Sequence, residues 1–317
     1  MTILPILKKL GSLALTLFAA SILVFCSMYF VPGNPVSFLL RGRSPSAEAV
    51  AAVTAQYGLD KPVPEQYVDW LANVLHGDFG RSFQYREDVS TLIASRAPAT
   101  IGLVALAGLI IGILGLAAGI TAALNQGRAA DQAILLASTG LAAIPSFVGA
   151  IVLIAFFAVQ LGWFPSFGSG NGFLDALYHL VLPALALAAT FVALVARVTR
   201  TSMLEQLGRE HVEVAVSRGI GRGHVIRRHV LRNALGPILT VSGVLVAGLL
   251  VASSIVEQSF GLSGIGSLLV QSVDRLDFPV VQAIVLLIVV IFVTMNTVVD
   301  LLAPVIDPRS MAGAAAR

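Results

Sequence analysis

Side chains that could carry chemistry are few in this sequence, and their spacing assembles no reactive site. Three of its five histidines, His211, His224 and His229, share one arginine-rich interval, at separations that fit no metal-ligand set. No His-Glu-x-x-His occurs, and the single Cys26 offers neither a metal pair nor a disulfide. It lies in an apolar run and reads as a small hydrophobe. No Gly-x-x-x-x-Gly-Lys-Ser/Thr loop is present to cradle a nucleotide, so ATP must be hydrolysed elsewhere. Ser138, Thr139, Ser253 and Ser254 sit in apolar stretches with no histidine at comparable depth, so they read as packing hydroxyls. The apolar stretches hold almost no ionisable residue apart from Asp300, near a helix end. A proton-coupled carrier usually needs a buried carboxylate or histidine relay, and its absence argues against self-powered transport. No catalytic or metal-binding residue is assigned.

What remains is the polar interval Glu205 to Pro237. Leu204, Leu207, His211, Val214, Ala215 and the stem of Arg218 recur near helical spacing, predicting an amphipathic helix too polar to span a bilayer. Gly219, Gly221 and Gly223 then predict a sharp turn. Val225 to Leu235 resumes as a basic helix. Two short helices around a glycine turn make a handle for another protein. An ordinary basic loop, kept on the cytoplasmic side by its charge, has the same composition.

The elements that present this interval are membrane helices. The 317 residues are 57% hydrophobic and 12% charged, about half the charged share of a soluble domain. The net charge of +3 is small and concentrated in the one loop, which reads as topology and gives no case for nucleic acid. Lys8 and Lys9 precede an apolar run from Leu10 to Val31, longer than a signal-peptide core, which predicts an uncleaved first span with the N-terminus in the cytoplasm. Pro32-Gly33-Asn34-Pro35 stops it. Residues 32–98 form an extracytoplasmic segment, whose Tyr67, Trp70, Leu71, Val74 and Leu75 predict an amphipathic helix lying at the interface or on the protein's own outer face. Further spans are expected at Ile101–Leu124, Gln132–Leu161, Leu180–Val198, Pro237–Val256 and Pro279–Ala303, giving six spans with both termini inside. Gly108, Gly112, Gly115 and Gly119 mark close helix packing. Pro145, followed by Ser146, predicts a kink in the third span, either a gate or plain packing. The Arg197–Arg232 interval carries eight arginines and fixes the cytoplasmic side. Glu257 to Phe278 returns to the outside, with Ile265, Leu268, Leu269, Val273 and Leu276 in a short helix resting on the bundle.

Glu213-Val214-Ala215-Val216-Ser217-Arg218-Gly219 resembles the Glu-Ala-Ala-x-x-x-Gly loop of ABC importer permeases. The following His229-Val-Leu-Arg-Asn-Ala-Leu235 is similar to the dipeptide/oligopeptide/nickel branch of that family. Two departures are visible: Val214 replaces the first alanine, and His229-Val-Leu-Arg232 stands where the wider superfamily has Ile-x-Leu-Pro. Tyr57-Gly-Leu-Asp60-Lys-Pro62, His76-Gly-Asp-Phe-Gly-Arg-Ser82, Pro98-Ala-Thr100 and Asp300-Leu-Leu-x-x-x-Ile-Asp-Pro-Arg309 also resemble the branch, so the likeness covers nearly the whole chain.

The resemblance implies an all-α polytopic fold: a first helix in 1–31, the external segment 32–98, and a permease core in 99–317 with a coupling loop at 199–235. It implies a non-enzymatic subunit of the bacterial inner membrane that imports di- or oligopeptides by alternating access. Nickel or another small solute, or a standalone channel or carrier, are the alternatives. The implied partners are a second homologous permease, two ATPase subunits, an extracytoplasmic binding protein and the lipid bilayer. ATP and Mg²⁺ would belong to the ATPases, with no cofactor on this chain. Glu213, Ala215, Arg218, Gly219, Ile220, Gly221 and His224 are the implied coupling residues.

Overall fold

Long apolar runs become long helices because no water is available to the backbone in a bilayer. The computed structural model describes residues 3–30, 54 and 60–306. The Pro32–Pro35 stop, Tyr57 to Leu59 and the Asp307–Arg309 ending lie outside the described residues, as does the side chain of Asp300. Within them the helices are α1 (Ile3–Phe30), α2 (Val63–Leu75), α3 (Val89–Leu124), α4 (Ala129–Ala143), α5 (Ser146–Gln160) and α6 (Phe173–Leu207). They continue with α7 (Glu210–Ser217), α8 (Arg222–Ser259), α9 (Ile265–Asp274) and α10 (Phe278–Ile306). Among the described residues there is no strand, only an isolated bridge between Arg81 and Asp88.

Helices α1, α3, α6, α8 and α10 are each long and apolar enough to cross a membrane, and α4 with α5 makes a sixth crossing if the bent pair is one span. The third expected span is therefore corrected. Pro145 does not kink a continuous helix; it caps α5 after a break, and the two halves meet at 99°. Ile144, the residue before the proline, takes φ −83° and ψ 118°, the extended conformation that a following pyrrolidine ring imposes. Other helices also run past their expected limits. α3 begins at Val89 and carries Pro98 inside it, α6 reaches Leu207, and α8 is continuous from Arg222 with Pro237 inside.

The centre of the fold is the packing of α3 on α6. Leu103, Ala107, Ile111, Gly115 and Gly119, spaced four apart, form a buried ridge on α3. A Cβ at Gly115 would lie 2.8 Å from Val195, and one at Gly119 2.5 Å from Thr199, so these glycines let the backbones meet. Gly108 and Gly112 have no such neighbour within the described residues of this chain. Leu182, Leu187, Val256 and Phe260 extend this core.

Helix α2 rests on α1. Tyr67 and Trp70 turn inward against Phe25, with ring centroids 5.4 and 5.6 Å away, and the Tyr67 hydroxyl bonds Ser21 Oγ at 2.8 Å. At the end of the bundle away from the arginine-rich loop, α9 packs Leu268 against Val280 and Ile284 of α10 and Val89 and Leu92 of α3. Asp277, fully buried at the α9–α10 corner, accepts the Ser82 hydroxyl at 2.5 Å and the N–H groups of Phe83 and Gln84 at 3.0 and 3.1 Å.

Candidate functional site

The arginine-rich interval folds as a short helix clipped to the ends of three long ones. Gly208 ends α6, and α7 restarts two residues later at Glu210. The single amphipathic helix expected from Leu204 through Arg218 is therefore two helices, and the restart rotates the buried face. Val212 and Ala215 point inward, while Val214 and Val216 are 43% and 59% exposed. Val214 thus lies on the opposite face from the one its spacing predicts.

The inner face joins a compact apolar cluster: Ala123 of α3, Met203 of α6, Val212 and Ala215 of α7, and Val225, Val230, Ala234 and Ile238 of α8. Any force on α7 therefore reaches α3, α6 and α8 together. His211 reinforces the seat, its Nε2 lying 3.3 Å from both the His229 carbonyl and Asn233 Nδ2. Asn233 Nδ2 also donates to that carbonyl at 2.8 Å. His211 thus serves the fold, and among the described residues no group of three His, Cys, Asp or Glu could hold a metal ion.

α7 ends in a Schellman cap. The Gly219 N–H bonds the Val216 carbonyl at 2.9 Å and the Ile220 N–H reaches back to the Ala215 carbonyl at 3.2 Å. The cap requires a left-handed residue, and Gly219 supplies it with φ +75°. The three-glycine turn thus rests on one glycine. Gly221 caps α8 at φ −55°, and Gly223 lies in the first turn of that helix.

Of the implied coupling residues, Glu213, Arg218, Gly219, Gly221 and His224 face outward, Ile220 is half-buried, and Ala215 is buried in the cluster. Ala215 therefore seats α7 against the bundle in this chain. Beside the turn, Gly223, His224, Arg227, Arg228 and Arg232 line an open cleft of about 730 Å³. Among the described residues these arginines make no ion pair with a carboxylate, so the surface is strongly cationic.

Pro145 and Ser146 lie elsewhere, at the α4–α5 break. Ile144, Pro145 and Phe147 are exposed and Ser146 is half-buried. Arg197 of α6 reaches this side and donates to Thr139 Oγ1 at 3.4 Å.

Sequence reading also missed the buried acids, of which Asp277 is described above and two others lie within helices. Asp131, expected in a turn, starts α4 and pairs with Arg200 of α6 at 2.6 Å. Glu257, expected outside the fifth span, lies inside α8 and is fully buried, bonded to Thr100 and Ser267. The expectation that the spans hold almost no ionisable residue apart from Asp300 is corrected by Glu257.

Comparison with known proteins agrees with this geometry. The profile of the family described as "Binding-protein-dependent transport system inner membrane component" matches residues 115–311, and that of its N-terminal companion matches residues 3–104. The di/tripeptide transport system permease protein DppB of Pseudomonas aeruginosa is 35% identical, over 96% of this chain and 97% of its own. A putative peptide transport system permease protein of Brucella suis biovar 1 is 39% identical, over 96% and 98%. The glutathione transport system permease protein GsiC of Escherichia coli K12 is 37% identical, over 96% and 97%. In fold, the chain is similar to a chain of the MetNI methionine ABC transporter, with a TM-score of 0.53 at 17% identity, covering 68% of this chain and 96% of that one. The chain belongs to the inner membrane components of binding-protein-dependent transport systems, and is a multi-span permease subunit of an ABC importer.

Proposed function

We propose that the chain forms half of the pathway through which an ATP-driven importer admits di- and oligopeptides across the bacterial inner membrane. The observation that carries the reading is the placement of α7. It is an exposed handle whose inner face is packed into α3, α6 and α8 at once, so a push on it is a push on the bundle. The named substrates of the relatives, di/tripeptides and glutathione, are all short peptides, which supports the same class here.

In this reading two ATPase subunits grip Glu213, Val214, Val216, Arg218 and the Gly219 turn of this chain and of a second, homologous permease. ATP-driven closure of the ATPases moves both handles and opens the cavity between the permeases outward, toward a binding protein. Hydrolysis returns it to the inside. ATP and Mg²⁺ sit in the ATPases, because this chain has no phosphate-cradling loop. The arginine excess of the loop supports a cytoplasmic handle and cytoplasmic termini. The α4–α5 break, where Pro145 is exposed and Ser146 half-buried, serves as the gate lining.

Reconstitution tests this. Liposomes holding this chain, the second permease and both ATPases should take up radiolabelled dipeptide when supplied with ATP and the binding protein. The purified chain alone should hydrolyse no ATP. Peptide uptake that persists without this chain, or turnover by the chain alone, would overturn the reading.

A further inference from the structure

Glu257 is fully buried in α8, and the reading above gives it no work. A buried carboxylate is costly unless its oxygens are satisfied, and these are. One accepts the Thr100 hydroxyl of α3 at 2.7 Å, and the other accepts the Ser267 N–H at the start of α9 at 2.8 Å. Thr100 Oγ1 in turn accepts the Ile265 N–H at 2.8 Å. Glu257 and Thr100 thereby satisfy two of the first amide groups of α9.

The fit is as close as backbone allows. A Cβ at Gly264 would stand 2.3 Å from the Glu257 carboxyl carbon, and one at Gly266 would stand 2.5 Å from the Ser254 Cα. α9 therefore cannot slide along α8 without breaking this node. α9 in turn is packed on α10 and on the start of α3 through Leu268. At its other end α8 begins at Arg222, capped by Gly221 of the coupling turn, and the helix runs for 38 residues through a π-helical stretch at Val225–Leu231.

We propose that Glu257 is the positioning residue that passes movement of the coupling turn, carried along α8, into α9 on the far side of the membrane. This rests on the coupling role given to α7 and its turn. The alternative is a passive brace, whose loss would lower stability without separating the two ends of α8.

The test uses the complete complex in lipid nanodiscs, with binding protein and dipeptide, in a Cys26→Ser background. Val273→Cys, on the exposed side of α9, reports its movement through the rate of labelling by a water-soluble maleimide, with and without ATP and vanadate. With Glu257 intact, the labelling rate should change on trapping, and the binding protein should stimulate ATP hydrolysis. Glu257→Ala should retain assembly and basal hydrolysis, yet lose the labelling response and lose stimulation by about tenfold. Glu257→Gln, which keeps one acceptor, and Thr100→Ser should retain most of both.

Glu257→Ala with unchanged stimulation and labelling response would overturn the proposal. If Glu257→Ala fails to assemble, Thr100→Val decides. Loss of stimulation with basal hydrolysis intact supports the proposal, and any other pattern overturns it. A complex with Glu257 intact that hydrolyses no ATP would instead overturn the coupling reading beneath it.

Discussion

Arg200 of α6 grips Asp131 of α4 through both carboxylate oxygens, at 2.6 and 2.7 Å. The second oxygen also accepts the Gly127 N–H at 2.9 Å. A bidentate guanidinium pair fixes orientation as well as distance, so this clamp sets where α4 leaves α6 on its way to the Pro145 break. Removing one partner strands the other, which costs more than replacing both. Asp131→Ala should lower the thermal midpoint in detergent further than Asp131→Asn, since asparagine keeps an acceptor. The double variant Asp131→Leu/Arg200→Leu should be more stable than Asp131→Ala alone. Equal midpoints for all three would remove the clamp from the account of this corner.

The two glycines of the coupling turn should respond differently. Gly219 sits at φ +75°, where a β-branched residue is strained by about 1–3 kcal/mol, whereas Gly221 sits at φ −55°, open to any residue. Gly219→Val should abolish most peptide uptake while the chain still inserts, and Gly221→Ala should leave uptake near normal. Uptake measured beside co-purification of the ATPases checks both. Normal uptake by Gly219→Val in an intact complex would reduce the loop to a topological signal.

Sidedness can be read by labelling single cysteines after Cys26→Ser. Arg222→Cys should label only from the cytoplasm. In the loop before α6, Gly170 admits no side chain, because its φ is +70° and a Cβ there would stand 2.8 Å from the Ala176 nitrogen. Asn171→Cys, exposed next to it, should label from outside in intact cells. The reverse pattern would invert the topology.

Which features the sequence revealed follows from the range of the forces behind them. Long apolar runs announce spans because the bilayer requires every backbone group to be bonded internally. The Gly219 turn was legible because a left-handed cap nearly demands glycine. The break at Ile144-Pro145 had a local signal, the restriction that proline places on its predecessor, yet a tolerated kink reads the same way. Val214 went to the wrong face because one period was carried through Gly208, where α6 stops and a new helix begins with a new phase. Glu257 was illegible for another reason. A hydropathy scan treats a carboxylate as the end of a span, while its actual partners lie 157 residues upstream at Thr100 and ten residues on at Ser267.

The last prediction separates the two faces of α7. Val212 is buried with Met203 and Val225 in the cluster that ties α7 to the bundle, whereas Val214, two residues on and so on the opposite side of the helix, stands exposed. Val212→Asp would bury an unpaired carboxylate, which the cluster avoids by releasing α7. Val214→Asp leaves the seat intact and places a charge on the outward face. Limited proteolysis should therefore cut Val212→Asp near Gly208 and Gly219 faster than the parent chain, with ATPase subunits lost as a consequence. Val214→Asp should show the parent digestion pattern and still lose most of the co-purifying ATPase. Val214→Ala, smaller and uncharged, should bind at an intermediate level. If Val214→Asp retains its ATPase and its uptake, the outward face of α7 is not the contact, and the coupling surface must be sought on the arginines lining the cleft beside it.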